Sequence, residues 1–324
     1  MEIQSKARPR IGISACLLGE EVRHDGGHKR DAYLVGTLGE MVVWVPVCPE
    51  VELGLGTPRE PIRLVRNQSD PSVVRLLSRS GLEITARMRR FTRRRVRELA
   101  KENLSGYIVK KDSPSCGMER VKIWKDEKRG GSERKGRGLF TAELIQQFSN
   151  LPVEEEGRLH DSQLRENFFE RVFAYRKVRS LFSGRWKLGD IVRFHTAQKL
   201  LLMAHELERY RELGRLVAEA KAIPRAEFAR RYEEDFMAAT RTRATCARHT
   251  NVLMHAVGHL KKNLDGESRK ELLSSIEDYR HHLVPRIVPL TLVRHHARLL
   301  NVTYLLGQDY LNPHPKELAL LNHV

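Results

Sequence analysis

The chain has 324 residues, 40% hydrophobic and 31% charged, long enough for two domains with ordinary cores and too evenly mixed to be disordered, collagenous or a small disulfide scaffold. No apolar run approaches the roughly 18 residues of a membrane helix and no charged-then-apolar leader opens the sequence, so a cytoplasmic protein is expected. Its 58 Lys and Arg outweigh 41 Asp and Glu for a formal net charge of +17, shared by both halves, which favours a polyanionic partner such as nucleic acid.

Residues 10–15 alternate Ile11 and Ile13 and read as a strand, residues 32–40 as a short helix, and residues 42–47 as a buried strand in which Pro46 sits poorly. The interval from Cys16 to Cys48 suits one βαβ unit. Helical patterns over 71–79 and 85–102 precede a third strand near 106–110, so an α/β domain with a mostly parallel sheet is expected. The 85–102 segment repeats Ile84, Met88, Phe91, Val96 and Leu99 at near-helical spacing, with eight basic residues and one acid between Arg87 and Lys101. It is an amphipathic helix with a basic outer face, although charge runs more often mark only a solvated face. A second basic run from Arg120 to Arg137 contains Gly130, Gly131 and Gly136, with Gly138 following, and reads as a loop.

The stretch 149–160, SNLPVEEEGRLH, breaks periodicity with a proline, three glutamates and a glycine and reads as a linker. It divides a domain over 1–152 from one over 153–324. Asp161 caps a predicted helix over 162–182. Further helices follow at about 190–219, 225–240, 245–264, 267–282 and 290–306, punctuated by Pro224, Gly266, Pro285 and Pro289, so the second half is expected to be all-α.

The chemistry concentrates at three of the four cysteines. Cys16 follows the first strand, Cys48 the second and Cys116 the third. Where parallel strands are neighbours, their carboxyl ends share one crevice, and three thiolates would meet there. Three is one short of a closed tetrahedral site, and leaves a corner open for substrate on a catalytic metal or an iron–sulfur cluster. Around them lie Glu50 in the CPE turn, Arg59, the hydroxyls of Ser113 and Ser115 in SPSCG, and the loop bearing His24, Asp25, His28, Lys29 and Arg30.

The segments ISACLLGEEVRHDGGHKRD, VPVCPEVELGLGTPRE and KKDSPSCGMERVKIW resemble the thiouracil desulfidase family over about residues 8–148. The helical half, with KLGDIVRFHTAQKLLLMAHELERYRELG and ATCARHTNVLMHAVGHLKKNL, is similar to the domain fused to it in the two-domain tRNA 4-thiouridine desulfidases. The resemblance implies a [4Fe-4S] cluster held by Cys16, Cys48 and Cys116, with Glu50 as general acid/base and Ser113 hydrogen-bonded to the base or its departing sulfur. It implies non-redox conversion of 4-thiouridine in tRNA to uridine and hydrogen sulfide. The alternatives are a desulfidase of free thiouracil-type bases and a non-catalytic, metal-containing nucleic-acid-binding protein. A purely structural reading has Glu50 paired with Arg59 and Ser113 holding a turn.

In the helical half, Lys199, Arg243, Arg248, Lys261, Lys262, Arg294 and Arg298 are candidate phosphate contacts. His249, His255 and His259 lack a carboxylate or cysteine partner in a metal motif, and Cys246 reads as a packed small residue. Neither a membrane nor an obligatory protein partner is expected.

Overall fold

The computed structural model describes residues 8–126, 130–315 and 320. The chain divides into two compact units, Met1–His160 and Asp161–Val324.

The first unit is α/β. In chain order it comprises β1 (Arg10–Ser14), α1 (Ala32–Val35), β2 (Val43–Val47), α2 (Pro49–Glu52), β3 (Ile62–Arg66), β4 (Val74–Ser78), α3 (Thr85–Leu99), β5 (Gly106–Val109), β6 (Val121–Trp124), β7 (Ser132–Gly136), α4 (Leu139–Gln147) and β8 (Val153–Glu155). Four strands form a wholly parallel sheet in the order β2-β1-β5-β8. Strands covered on both faces run as continuous apolar stretches, as in β5, where Tyr107, Ile108 and Val109 are all buried. Pro46 is accommodated because β2 is an edge strand, where one side of the backbone needs no ladder partner.

A second, mixed sheet has the order β4-β3-β6-β7. The apolar stripe of α3 packs on it, Met88 and Phe91 joining Leu64, Leu76, Ile84, Val121 and Ile123 in one core cluster.

Three sequence expectations change here. Residues 71–79, expected as helix, contain β4, because Leu76 and Leu77 find their burial opposite Leu64 and Arg63 in an antiparallel pair. Local periodicity yields to cross-strand pairing. The expected loop over 120–137 is a hairpin of β6 and β7, of which residues 127–129 lie outside the described residues. Gly136 serves close approach there, since a Cβ would stand 2.7 Å from Ile123 Cγ1 and 2.8 Å from the Val121 carbonyl oxygen.

The expected linker at 149–160 contains β8, and all three glutamates are buried. Each has a partner: Glu154 pairs with Arg158 at 2.7 Å, Glu155 accepts from the Met118 N–H at 2.9 Å, and Glu156 accepts from the Lys111 N–H at 2.7 Å while pairing with the Lys110 ammonium. The division between units therefore falls after His160 and not at 152, because β8 completes the parallel sheet.

The described residues of the second unit fold as helices: α5 (Ser162–Phe182), α6 (Leu188–His205), α7 (Leu207–Ala218), α8 (Arg225–Arg241), α9 (Cys246–Leu260), α10 (Gly266–Arg280), α11 (Ile287–Leu299) and α12 (Thr303–Leu306). Asp161 caps α5 by accepting from the N–H groups of Gln163 and Leu164 at 3.0 and 2.9 Å. The pattern over 190–219 resolves into two helices at Glu206, whose extended backbone (φ −153°, ψ 103°) breaks the run. At the centre of the unit, buried Arg286 pairs with Glu166 and Glu170, and His205 stands 3.3 Å from Glu170. No described helix is long and apolar enough to cross a membrane.

Candidate active site

The register of the parallel sheet fixes the geometry. β1 lies between β2 and β5, so the turns leaving these three strands are adjacent at one edge, and each carries one cysteine. Cys16 lies in the 3₁₀ turn Ala15–Leu18, whose carbonyls hold the following loop: Cys16 accepts from the Lys29 N–H and Leu17 from the Asp31 N–H, both at 2.9 Å. Cys48 caps α2, its N–H donating to Glu52 Oε1 at 3.1 Å and its Sγ reaching the Val22 carbonyl at 3.7 Å. Cys116 sits in a turn built on Ser113, whose Oγ accepts from the N–H groups of Ser115 and Cys116 at 3.3 and 3.1 Å. Gly138 lies against this turn so closely that a Cβ would stand 2.4 Å from the Ser115 carbonyl carbon.

Burial raises all three thiols above their ordinary range. Cys16 is pushed up to about 11 by desolvation and then by the charge of Cys48, with Lys110 and Arg23 pulling the other way. Cys116 is raised further by burial, against a hydrogen bond from Ser14, with Glu50, Cys48 and Cys16 adding to the rise. Burial also raises Cys48, opposed by the Val51 N–H and Arg59. Three soft donors that repel one another once ionised form a set that a cationic centre stabilises. Among the described residues, no three His, Cys, Asp or Glu side chains meet tightly enough to hold a single metal ion. In an iron–sulfur cubane each thiolate binds a different iron, so its ligands stand wider apart than those of one ion.

Beside the thiols lies a polar clamp. Arg59 donates through Nε to Glu50 Oε2 at 3.0 Å and through Nη2 to the Val22 carbonyl at 3.0 Å, while the Ser115 hydroxyl donates to Glu50 Oε1 at 2.9 Å. The fully buried Ser115 therefore orients Glu50, a role the sequence reading, which chose Ser113, did not assign. Ser113 holds the turn through its lone pairs, which leaves its hydroxyl proton available to a ligand. Ser14 and Lys110 escaped the sequence reading as neighbours of the cysteines, since Ser14 bonds the Lys110 N–H at 3.0 Å and reaches Cys116.

Residues 11–156 match the family model described as 2-thiouracil desulfurase. The N-terminal unit belongs to the 2-thiouracil desulfurase family. Its resemblance extends to a solved structure titled [4Fe-4S]-dependent thiouracil desulfidase TudS (DUF523Vcz), at 31% identity, covering 48% of this chain and 95% of that one with a TM-score of 0.39. Beyond the desulfurase unit, residues 199–315 match a family described as a protein of unknown function (DUF1722). Among curated proteins the chain is 28% identical over 151 residues to the uncharacterized protein YbgA of Escherichia coli (strain K12), covering 46% of this chain and 89% of YbgA. It is 29% identical over 110 residues to the uncharacterized protein YbbK of Bacillus subtilis (strain 168), covering 33% of this chain and 72% of YbbK.

The candidate phosphate contacts of the helical unit separate. Arg294 is buried and bonded to Asn312 and Thr291, each at 3.0 Å, so it holds the fold and is corrected from a surface contact. Arg248 donates to the His205 carbonyl and neighbours Glu206 at 3.8 Å. Arg243, Lys261, Lys262 and Arg298 are exposed, and Lys199 is half-buried. His249 bonds the Tyr310 hydroxyl at 3.0 Å inside the unit, whereas His255 and His259 pack ring to ring at 5.2 Å on its exposed surface. Cys246 donates through Sγ to the Tyr279 carbonyl at 3.6 Å.

Proposed function

We propose that this protein is a desulfidase that removes sulfur from 4-thiouridine in tRNA, leaving uridine and hydrogen sulfide, with Cys16, Cys48 and Cys116 holding a [4Fe-4S] cluster. The observation that carries the reading is that buried Cys16 and Cys116 and half-buried Cys48 each follow one of three neighbouring parallel strands, beside the Glu50–Arg59–Ser115 clamp. The 2-thiouracil desulfurase match supports a thiocarbonyl substrate, and the [4Fe-4S]-dependent thiouracil desulfidase TudS, at 31% identity, supports the cluster. The net charge of +17 and the second unit support a polyanionic substrate over a free base.

When bound, such a cluster supplies a soft iron without a protein ligand, suited to a thiocarbonyl sulfur. The chain's own residues do the rest. Arg59 occupies Glu50 Oε2, and Ser115 takes one lone pair of Oε1, so the remaining lone pair of Oε1 is fixed in direction and accepts the proton of a water attacking the pyrimidine carbon. The water oxygen forms the new bond to that carbon, the carbon–sulfur bond breaks, and Glu50 returns its proton so that sulfur leaves with the two water protons as hydrogen sulfide. No net electrons are transferred. Ser113 donates its hydroxyl proton to the base and fixes its orientation in the turn.

Anaerobic purification tests the reading. Iron and acid-labile sulfide near four per chain are expected, lost in Cys48→Ala, together with loss of 4-thiouridine from bulk tRNA during incubation. A colourless protein that leaves thiolated tRNA unchanged overturns it, and turnover of free 4-thiouracil alone assigns the activity to free bases.

A further inference from the structure

The outer face of α3 carries a row of exposed arginines that outnumber the acids near them. The helix turns its apolar stripe to the second sheet, so Arg89, Arg90, Arg93, Arg94 and Arg97 all stand exposed on the opposite side. Together with Ala86 they line a cavity of about 490 Å³. Among the described residues Arg89, Arg90 and Arg97 have no side-chain partner, Arg93 only approaches Glu143 at 4.0 Å, and Arg94 meets Glu98 at 3.7 Å. Arg89, Arg93 and Arg97 are successive i, i+4 neighbours, an arrangement of like charges that disfavours the helix unless an anion bridges them. At about 1.5 Å per residue the ladder repeats every ~6 Å and spans ~12 Å. A single phosphate cannot cover that length, whereas a phosphodiester backbone can.

Two other arginines of the same helix tie it to the site. Arg95 donates to Glu52 Oε2 at 2.7 Å, and the other oxygen of that carboxylate accepts the Cys48 N–H at 3.1 Å. Arg87 donates to the Leu53 carbonyl at 3.1 Å. One carboxylate thus joins α3 to the turn bearing Cys48 and Glu50, so a strand held on the outer face is held in fixed register with that turn.

We infer that the arginine face of α3 is a docking surface for the sugar-phosphate backbone of the RNA substrate, gripping successive phosphates and holding the RNA on the α/β unit. This rests on the proposed RNA substrate and deepens it. Sequence-independent phosphate contacts of this kind set affinity and its salt dependence, and leave the chemistry of the base untouched.

The test uses the full-length, anaerobically purified protein and end-labelled tRNA, with binding followed by anisotropy over a KCl series. The charge reversal R89E/R93E/R97E is expected to weaken binding at least tenfold and to lower the slope of log K against log salt by about 2 to 3, at roughly 0.7 to 0.9 per lost contact. R89K/R93K/R97K is expected to bind within a few-fold of wild type, which separates charge from helix folding. Turnover of free 4-thiouracil is expected to be equal in all three proteins. Unchanged affinity and slope in the reversal variant overturn the docking surface and leave the proposed reaction standing. Failure of the wild type to bind tRNA overturns the RNA substrate and this surface with it. Displacement of labelled tRNA by polyglutamate as effectively as by unlabelled tRNA assigns the face to an acidic protein and equally overturns the proposal.

Discussion

At the scale of single residues, the site rests on how Glu50 is held. A carboxylate clamped by Arg59 on one oxygen and by Ser115 on the other has a fixed direction, and directionality is what proton transfer requires. Glu50→Gln preserves size and accepts the Ser115 hydroxyl but takes no proton. It is expected to lower kcat on thiolated substrate by about 10²-fold or more, within the range of lost general-base catalysis, while iron content and visible absorbance stay at wild-type level. Loss of iron in that variant assigns Glu50 to the fold of the cysteine turns. Ser115→Ala leaves the carboxylate in place and frees its rotation, so a smaller fall in kcat with little change in KM is expected, and steady-state kinetics on both variants orders the two roles. That each of the three cysteines follows a strand in a short polar turn was legible in the sequence, whereas the role proposed for Glu50 rested on the resemblance to the thiouracil desulfidases. The sequence reading chose Ser113 and passed over Ser115, because two hydroxyls in SPSCG differ only in which way the turn points them, and the turn is set by hydrogen bonds that sequence spacing does not encode.

At the scale of elements, three of the four parallel strands were readable and the mixed sheet was not. β1 alternates Ile11 and Ile13 while β2 and β5 are short apolar runs, with helices between the three, which a periodicity reading recovers. β4 and β7 gain their stability from partners across the sheet, and β8 hides glutamates whose burial depends on Lys110, Arg158 and the backbone of Met118. Three acids in a row look like solvent-facing chain until their partners are known. In the helical unit, one buried side chain of α6 gives a pH dependence. His195 bonds the Tyr232 hydroxyl at 3.1 Å and lies parallel to the Tyr210 ring at 6.2 Å, and burial, aided by Lys199, lowers it to about 4. The folded histidine therefore refuses a proton that the unfolded chain takes at about 6.5. Stability from the neutral ring is full above that pH and is lost as pH falls from 6.5 towards 4, by about 3 kcal/mol when the window is fully crossed. His195→Gln removes that titration, so the difference in urea-unfolding free energy between variant and wild type is expected to change in the variant's favour between pH 7 and pH 4.5. A difference independent of pH shows that His195 is not buried as a neutral base.

At the scale of the whole molecule, the separation into Met1–His160 and Asp161–Val324 is a statement about cores. The first unit closes its own parallel sheet with β8, and the second gathers Phe182, Phe228, Tyr232 and Phe236 into an aromatic cluster and centres buried Arg286 on Glu166 and Glu170. Each possesses the buried apolar and paired polar groups that independent folding demands. Residues 1–160 contain Cys16, Cys48, Cys116, Glu50, Arg59, Ser113 and Ser115, so on the proposed reading a free thiobase is expected to need nothing beyond them. For the proposed tRNA substrate the expectation differs, because the exposed Arg243, Lys261, Lys262 and Arg298 of the helical unit would add phosphate contacts to those proposed for α3. Residues 1–160 produced alone are therefore expected to desulfurate free 4-thiouracil within a few-fold of the full-length rate and to lose at least tenfold in kcat/KM on thiolated tRNA, with most of the loss in KM. Raising the salt concentration is expected to narrow that gap, since it weakens the full-length protein's additional contacts first. A truncated protein that matches full length on tRNA at low salt removes the helical unit from substrate binding, and one that loses both activities equally shows that the unit is needed to hold the catalytic fold.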